Sequence, residues 1–172
     1  MAEPDWSVLR EAISNGDAVI TVSSLEPAAV DEIAWSGSRT HLENVRQQLA
    51  RVPAGDVVYL GVRADGHAVS KGGVDFSKEP GAGTIFQVAT HPRLEGLGLA
   101  SLLIATLEHH SIEHGRRRLR LGVEREEHRT RRLYEHLGYR RIGESEASWE
   151  AERPDGTRYL YTTTLLEMEK PI

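Results

Sequence analysis

The spacing of hydrophobic residues predicts both helices and strands along this chain. Apolar positions recur every three or four residues in some segments, as in amphipathic helices, and elsewhere they alternate or cluster as β-branched runs, as in strands. Helices are predicted over residues 4–13, 26–35, 40–52, 99–114 and 129–137. Strands are predicted over residues 18–22, 57–62, 67–76, 84–89, 119–123, 149–153 and 159–166.

Two Asp-Gly turns and one long helix indicate how these strands connect. Asp65-Gly66 and Asp155-Gly156 each lie between β-rich runs, and this dipeptide favours a tight antiparallel hairpin. The helix over residues 99–114 instead connects two strands, which is the crossover that parallel neighbours require. We therefore predict an α+β fold, with a mixed, mostly antiparallel sheet of about seven strands flanked by helices, rather than a doubly wound parallel fold.

A loop with two glycines, Gly96 and Gly98, precedes the helix over residues 99–114. Glycines let the chain turn tightly and let an anion approach the backbone, and the first N–H groups of a helix have no internal partners. The helix dipole adds partial positive charge, so this end favours a phosphate or pyrophosphate, although a plain strand-to-helix turn has the same composition. The loop is not a P-loop, because it lacks the sequence Gly-Lys-Ser/Thr. It also does not match a dinucleotide-binding fingerprint, because six residues separate the predicted strand from Gly96.

Composition narrows the classes of protein further. The 172 residues predict a single domain over residues 1–172, and the net charge of −5 does not favour a nucleic-acid partner. Cysteine is absent, which excludes disulfides, thiolate metal ligands and a cysteine nucleophile.

His110 and His114 have helical spacing but no third ligand at a suitable spacing, so we predict no metal. No apolar run approaches the roughly 20 residues of a membrane span, and the acidic N-terminus has no signal pattern, so a cytoplasmic location without membrane association is expected.

Two short motifs occur in residues 85–139. Residues 93–98 read Arg-Leu-Glu-Gly-Leu-Gly directly after a predicted strand, and residues 133–139 read Leu-Tyr-Glu-His-Leu-Gly-Tyr. In their order and spacing these residues resemble the GNAT family of acyl-coenzyme A-dependent N-acetyltransferases, whose motifs are Arg/Gln-x-x-Gly-x-Gly/Ala and Leu-Tyr-x-x-x-Gly-Phe/Tyr. The resemblance implies the GNAT fold, in which a central strand–helix–strand crossover binds the cofactor.

The resemblance also implies acetyl-CoA as co-substrate and a set of residues that bind it. Backbone N–H groups of residues 94–100 are expected to hold the pyrophosphate, and the strand with Val88 and Thr90 to pair with the pantetheine arm. Arg131 belongs to an arginine-rich segment near the expected adenosine 3′-phosphate, and Glu127 stands where the family often has asparagine. The predicted cofactor-binding residues are Val88, Thr90, Arg93, Leu94, Glu95, Gly96, Leu97, Gly98, Leu99, Ala100, Glu127 and Arg131.

The implied reaction needs an oxyanion donor, a general acid and a base. A backbone N–H of the strand over residues 84–89, that of Val88, is the expected oxyanion donor, and Tyr134 is the expected acid for the departing thiolate. Many family members place a glutamate at the start of this strand, where this chain has Ala82-Gly83-Thr84. The nearest carboxylates are those of Asp75 and Glu79, and we take Glu79 as the candidate base.

The resulting hypothesis is an N-acetyltransferase that moves an acetyl group from acetyl-CoA directly to a primary amine of a small molecule or a peptide or protein N-terminus. Without a cysteine, no thioacyl-enzyme can form. A different acyl chain or an alcohol acceptor is the nearest alternative among enzymes. A non-catalytic module that binds coenzyme A is the alternative of another class, and a homodimer through the final strands is compatible with both.

Overall fold

The computed structural model describes residues 2–172, and Met1 lies outside them. The described helices are α1 (Trp6–Asn15), α2 (Arg39–Leu49), α3 (Leu99–Glu113) and α4 (His128–His136), with two 3₁₀ segments at Pro27–Ser36 and Pro92–Leu94. The described strands are β1 (Ile20–Ser24), β2 (Val57–Ala64), β3 (His67–Asp75), β4 (Ala82–Thr90), β5 (Arg118–Glu124), β6 (Arg140–Glu152) and β7 (Arg158–Pro171). No helix within residues 2–172 has the length and apolar character needed to cross a bilayer.

The strands form one mixed sheet in the order β1–β2–β3–β4–β5–β7–β6. Neighbouring strands are antiparallel except β4 and β5, which are parallel and joined by α3. Asp65 and Gly66 both have positive φ, as the tight turn between β2 and β3 requires. The α+β architecture, the seven strands and the central crossover predicted from the sequence are therefore confirmed.

Helices cover the sheet on both faces. Leu103 and Leu107 of α3 are fully buried in the larger core, which also contains Leu9 of α1 and Tyr134 of α4. Val45 of α2 belongs to the second core, with residues of the first 3₁₀ segment. Each fully buried leucine contributes roughly 1.5–3 kcal/mol, so the apolar stripe of α3 holds the crossover firmly against the strands that flank the site.

Two predicted elements differ most from the structure, and in addition β7 runs five residues past its predicted end at 166 while α2 ends three residues before its predicted end at 52. The predicted helix over residues 26–35 is a 3₁₀ segment interrupted at Ile33, whose φ of −104° and ψ of 21° are not helical. Ile33 is fully buried, so packing rather than helix propensity sets its backbone. β6 begins at Arg140, nine residues before its predicted start at residue 149. Its early part is polar on both faces and has no apolar alternation, because it is an edge strand held by pairing with β7.

Candidate active site

β4 and β5 pair only at their beginnings. Residues 82–84 of β4 pair with residues 118–120 of β5, and the recorded pairing ends there, although β4 continues to Thr90 and β5 to Glu124. Parallel strands that stay adjacent normally continue their ladder, so the two strands diverge beyond this point. Backbone N–H and C=O groups on the facing edges are thereby left for a ligand, which is the way a peptide-like chain is held at a sheet edge.

A β-bulge lies in β4 where the strands diverge. The register places two residues of β4, Gln87 and Val88, opposite the single Gly72 of β3. Gln87 has a φ of +53°, a left-handed conformation that non-glycine residues rarely adopt. The buried Tyr59 donates its hydroxyl to Oε1 of Gln87 at 2.9 Å and holds the bulged residue. Val88 therefore has no register partner on β3 and none on β5.

Gly72 makes room for the bulge. A Cβ at this position would lie 2.8 Å from Cγ2 and 3.1 Å from Cα of Val88, which is too close for either atom. Our sequence prediction included Val88 but missed the bulge and the residues that shape it. The detectable signal was Gly72-Gly73 inside a predicted strand, because interior strand glycines often mark a bulge or a close backbone approach.

The glycine loop turns the chain from β4 into α3. Gly96 and Gly98 have φ of +80° and +81°, so both positions need a backbone conformation that favours glycine. A Cβ at Gly98 would meet nothing within 4 Å, so the requirement there is conformational rather than steric. No side chain caps the start of α3. Its first N–H groups and the positive end of its dipole therefore remain for an anion.

Two arginines fix the glycine loop from outside. Arg10 of α1 donates from Nη1 to the backbone carbonyls of Arg93 and Glu95 at 2.9 and 3.0 Å. Arg129, near the start of α4, donates to Oε2 of Glu95 at 2.7 Å. Arg10 was not predicted, because nothing in the sequence relates a helix residue near the N-terminus to a loop more than eighty positions away. Both arginines place positive charge beside the start of α3.

A cavity of about 590 Å³ fills the opening between β4, α3 and α4. It is lined by residues 88–90 at the end of β4, by residues of the glycine loop and first turn of α3, and by five residues between positions 127 and 134 around the start of α4. The predicted cofactor-binding residues that line it are Val88, Thr90, Leu94, Glu95, Gly96, Gly98, Leu99, Ala100 and Glu127. The structure thus brings together positions that the sequence separates by as many as 39 residues.

Three predicted cofactor-binding residues do not line this cavity. The exposed Arg93 borders a second depression beside Trp6 and His91. Leu97 packs against the larger core. Arg131 forms an ion pair with Glu135 one helical turn further along α4, with 3.5 Å between Nε and Oε1. Of the arginines near α4, it is Arg129 that lines the cavity.

Tyr134 lines the inner end of the cavity and is itself 5% exposed. Its ring packs edge-on against Tyr139, with the centroids 5.5 Å apart. Burial raises the pKa of the Tyr134 phenol well above its usual value, so the hydroxyl keeps its proton at physiological pH. A buried phenol of this kind can donate a proton but does not act as a base near neutrality.

Glu79 lies away from the cavity, at the closed end of the β4–β5 opening. Its Oε1 accepts a hydrogen bond from Nη1 of Arg120 at 2.7 Å, and its Oε2 is 3.8 Å from Nη2 of Arg118. Nε of Arg120 also donates to Glu169 at 2.6 Å. The hydrogen bonds of Arg120 to these carboxylates raise the pKa of its guanidinium. The structure therefore places Glu79 in an ion-pair cluster and does not bring it to Tyr134.

The β6–β7 hairpin encloses the α2 face of the sheet beside the opening. Arg158, at the start of β7, donates from Nη2 to Oε2 of Glu43 on α2 at 2.9 Å. Tyr161 of β7 donates its hydroxyl to Oε1 of Glu124, at the end of β5, at 2.6 Å. The hairpin therefore extends from the end of β5 to α2. This face is opposite the face covered by α3.

Within residues 2–172, no group of three or more His, Cys, Asp or Glu side chains is arranged to hold a metal ion. His110 and His114, which are one turn apart on α3, make a side-chain to backbone contact, with 2.8 Å between Nδ1 of His114 and the carbonyl oxygen of His110.

The sequence and the fold both match known proteins. The profile described as the acetyltransferase (GNAT) family matches residues 24–139. No curated protein matches the sequence.

Three solved structures illustrate the likeness in fold. The ribosomal-protein-S18-alanine N-acetyltransferase from Escherichia coli has 19% identity and a TM-score of 0.65, covering 90% of this chain and 94% of its own. An N-acetyltransferase from Thermoplasma acidophilum in complex with coenzyme A has 14% identity and a TM-score of 0.67, covering 90% and 99%. The IAA acetyltransferase from Bacillus cereus has 11% identity and a TM-score of 0.70, covering 90% and 100%. At these identities the likeness shows the shared fold.

Proposed function

Because the chain belongs to the GNAT acetyltransferase family and is an acyltransferase, we propose that it transfers the acetyl group of acetyl-CoA directly to a primary amine. One observation carries the proposal: the cavity joins the unpaired edge of β4, the uncapped start of α3 and the buried Tyr134. These are the three features that a diphosphate, an amide-containing arm and a leaving thiolate require. We also propose that residues 1–172 act as one catalytic domain.

The cofactor is held by backbone groups more than by side chains. N–H groups from the glycine loop and the first turn of α3 bind the pyrophosphate, with Gly96 and Gly98 supplying the positive φ that aims them. The pantetheine arm pairs with β4 near Val88 and Thr90, where β5 has diverged. Arg129 is 71% exposed and leaves its ion pair with Glu95 to contact a phosphate oxygen. The coenzyme A complex of the Thermoplasma acidophilum acetyltransferase, which shares this fold, supports acetyl-CoA as co-substrate.

The tetrahedral intermediate is stabilised at the bulge. When the amine attacks the thioester carbonyl, negative charge develops on its oxygen, and a preorganised N–H stabilises that charge most effectively where water is excluded. The N–H of Val88 serves this role, because the bulge removes Val88 from the register with β3 and the divergence removes it from β5.

Tyr134 protonates the departing thiolate. The C–S bond breaks with its electron pair on sulfur, and the phenol at the inner end of the cavity supplies the proton. Burial raises the pKa of Tyr134, so the phenol holds this proton until the thiolate forms beside it. The chain has no cysteine, so the amine attacks the acetyl group itself and no acyl-enzyme forms.

The proposal is tested by measuring coenzyme A binding and thiol release separately. Calorimetry with coenzyme A is expected to show saturable binding, and free thiol is expected to appear when acetyl-CoA is mixed with ethylamine, spermidine or a peptide with a free N-terminal alanine. Mass spectrometry should find a gain of about 42 Da per modified amine, which is the change in mass when an acetyl group replaces one hydrogen. Binding without thiol release from any of these amines would instead favour a non-catalytic coenzyme A-binding module.

Gly98→Val is expected to weaken coenzyme A binding at least tenfold. A β-branched residue at a φ of +81° costs about 1–2 kcal/mol, which the loop relieves by changing the conformation that aims its N–H groups. Gly16→Val is the matched control, because Gly16 ends α1 with a φ of +78° and also has open space around its Cα. Calorimetry checks both variants, and equal losses of affinity would contradict a specific role for Gly98.

Gly72→Ala is expected to lower kcat roughly tenfold or more while leaving the dissociation constant of coenzyme A within a few-fold of the parent protein. The added Cβ displaces Val88 and so moves the oxyanion donor, and a 1 Å misplacement can cost about 10²-fold. Gly143→Ala in β6 is the control, since a Cβ there meets nothing within 4 Å. Unchanged turnover in Gly72→Ala, measured by thiol release, would show that the position of Val88 is not limiting.

A further inference from the structure

Lys71 of β3 is a buried amine that the mechanism above does not use. It has no exposed surface, and within the described chain it belongs to no ion pair with a carboxylate. Its Nζ lies 3.0 Å from Nε2 of His41, in the first turn of α2. A buried lysine without an acidic partner costs stability, so its presence calls for a chemical role.

Lys71 is paired across the sheet with a residue that lines the cavity, although Lys71 itself does not line it. It is the register partner of Ala89 in β4, and Ala89 lines the cavity. Side chains of directly opposite residues in an antiparallel pair share one face, with their Cβ atoms about 5 Å apart. The neighbouring pair behaves similarly, since Ser70 and Thr90 approach to 3.0 Å between their hydroxyl oxygens and Thr90 also lines the cavity. The small side chain of Ala89, a single methyl group, is therefore the β4 neighbour of Lys71 on this face of the sheet.

His41 connects Lys71 to solvent. The imidazole is partly exposed, and its backbone N–H is capped by Oγ of Ser38 at 3.2 Å. Gly37 leaves space for the ring, because a Cβ there would lie 2.7 Å from Cδ2 of His41. The hydroxyl of Thr40, next in sequence, is buried and has no hydrogen-bond partner among the described residues. The loop before α2 is thus shaped to hold this ring against Lys71.

The surroundings favour the neutral forms of both groups. Burial lowers the pKa of Lys71 from 10.5 to about 7, and burial together with the nearby Lys71 lowers the pKa of His41 from 6.5 to about 4. Near pH 7 about half of the Lys71 population therefore has a free electron pair, which is the condition for a general base at that pH.

The other titratable groups around this face have partners of their own: Glu43 of α2 accepts a hydrogen bond from Arg158, and Glu124 of β5 accepts one from Tyr161. Tyr59 of β2 donates its hydroxyl to Gln87 and is kept protonated by burial. Asp75, further along β3, accepts two hydrogen bonds from Arg51 at 2.8 and 3.2 Å. β4 contributes only Gln87 and Ala89 to this part of the face. The carboxylates of the first 3₁₀ segment are exposed and paired with other arginines, at Asp31 and Glu32.

We propose that Lys71, coupled to His41, accepts the proton that the acceptor ammonium must lose before it attacks acetyl-CoA. This inference rests on the proposed function. One N–H bond of the ammonium breaks, and the proton passes through an intervening water to the electron pair of Lys71 Nζ. Lys71 then gives a proton to Nε2 of His41, the Nδ1 proton leaves to solvent, and exchange with water at the partly exposed ring restores its starting tautomer, so that both groups are again neutral. The acceptor keeps the electron pair that forms the new bond to carbon.

The first test is the pH dependence of thiol release with acetyl-CoA and ethylamine as the probe. With a base near pKa 7, log kcat/KM for the parent protein should rise to about pH 7 and then level off toward about pH 10. Lys71→Met should rise continuously through that interval, because only ethylamine already neutral in solution reacts, and at pH 7 it should be slower by about 10²- to 10⁴-fold. Lys78→Met, at an exposed lysine, is the matched control and should retain the parent profile.

The second test observes Lys71 directly and needs no turnover. The chain has three lysines, Lys71, Lys78 and Lys170, so ¹³Cε labelling of lysine gives three signals to assign with single variants. The Lys71 signal should titrate near pH 7 and shift when acetyl-CoA is added, while the signal of the exposed Lys78 should not respond to acetyl-CoA. His41→Gln should alter the Lys71 titration and reduce kcat several-fold.

The outcomes separate this inference from the proposed function. If the parent protein binds no coenzyme A, the proposed function is wrong. If it binds and turns over but Lys71→Met keeps the level region of the profile, the inference alone is overturned and Lys71 is structural. A Lys71 signal that does not titrate between pH 5 and 9, or does not respond to acetyl-CoA, overturns the inference whatever the turnover.

Discussion

Tyr134→Phe is expected to lower kcat by about 10²- to 10⁴-fold, which is the contribution that a positioned general acid makes. Removing the hydroxyl leaves the ring, which packs against Tyr139 at 5.5 Å, so the shape of the cavity is retained. The thiolate then leaves without a proton donor, whereas contacts to the pyrophosphate are unaffected. Calorimetry should therefore give the parent affinity for coenzyme A, and stopped-flow thiol release should give the reduced rate.

Tyr139→Phe is the matched control for this experiment. Tyr139 is equally buried in the same cluster, but its hydroxyl donates to Oε1 of Glu108 at 3.0 Å, on α3. Its loss is expected to cost about 1 kcal/mol of stability and to leave kcat of the folded protein unchanged. If Tyr134→Phe retained parent kcat, or if both variants lost it equally, Tyr134 would be a packing residue and the thiolate would be protonated by solvent.

Lys71→Met is expected to stabilise the protein most strongly at low pH. The pKa of Lys71 is lowered from 10.5 to about 7 on folding, and each pKa unit corresponds to about 1.36 kcal/mol, so the penalty is about 5 kcal/mol. Below pH 7 both states are protonated and the full penalty applies. Between pH 7 and 10.5 the unfolded state binds more protons than the folded state, so the stability of the parent protein rises and the advantage of methionine disappears.

Urea denaturation at pH 6 and pH 9 measures this difference. The gap in unfolding free energy between Lys71→Met and the parent should shrink by roughly 3 kcal/mol from the lower to the higher pH. Lys78→Met serves as the exposed control and should show no gap that changes with pH. A less stable Lys71→Met protein at pH 6 would mean that the folded state favours the ammonium, contrary to a penalty from burial.

The local signals in the sequence were sufficient for the crossover and the glycine loop. Strand β4, the loop with Gly96 and Gly98, and α3 follow one another within residues 82–113, so periodicity and glycine placement predict them directly. The second motif places Tyr134 on a short helix ended by Gly138. Both motifs come together at one cavity, as their resemblance to the family implied.

The parts of the site that depend on distant contacts were not predicted. Lys71 and His41 are 30 positions apart, and only the packing of α2 on β3 brings them to 3.0 Å. Arg10 contacts the glycine loop across the fold for the same reason. Glu79 was chosen for its closeness to β4 in sequence, but Arg120 of β5 competes for its carboxylate, and β5 is adjacent only in the sheet. Closeness in sequence to β4 therefore could not show that the Glu79 carboxylate is bound by an arginine of another strand.

Because β4 and β5 pair over only three residues, a cofactor bound between them, as proposed above, would also support the sheet. Only three residue pairs join the two halves of the sheet, and they lie at one end of the β4–β5 opening. Ion pairs among Glu79, Arg118, Arg120 and Glu169 stabilise this end. An arm that pairs with the free edge of β4 acts as a missing strand and stiffens the opposite end. On the proposed function, the bound donor substrate therefore supplies the backbone pairing that β4 and β5 do not make with each other beyond residue 84.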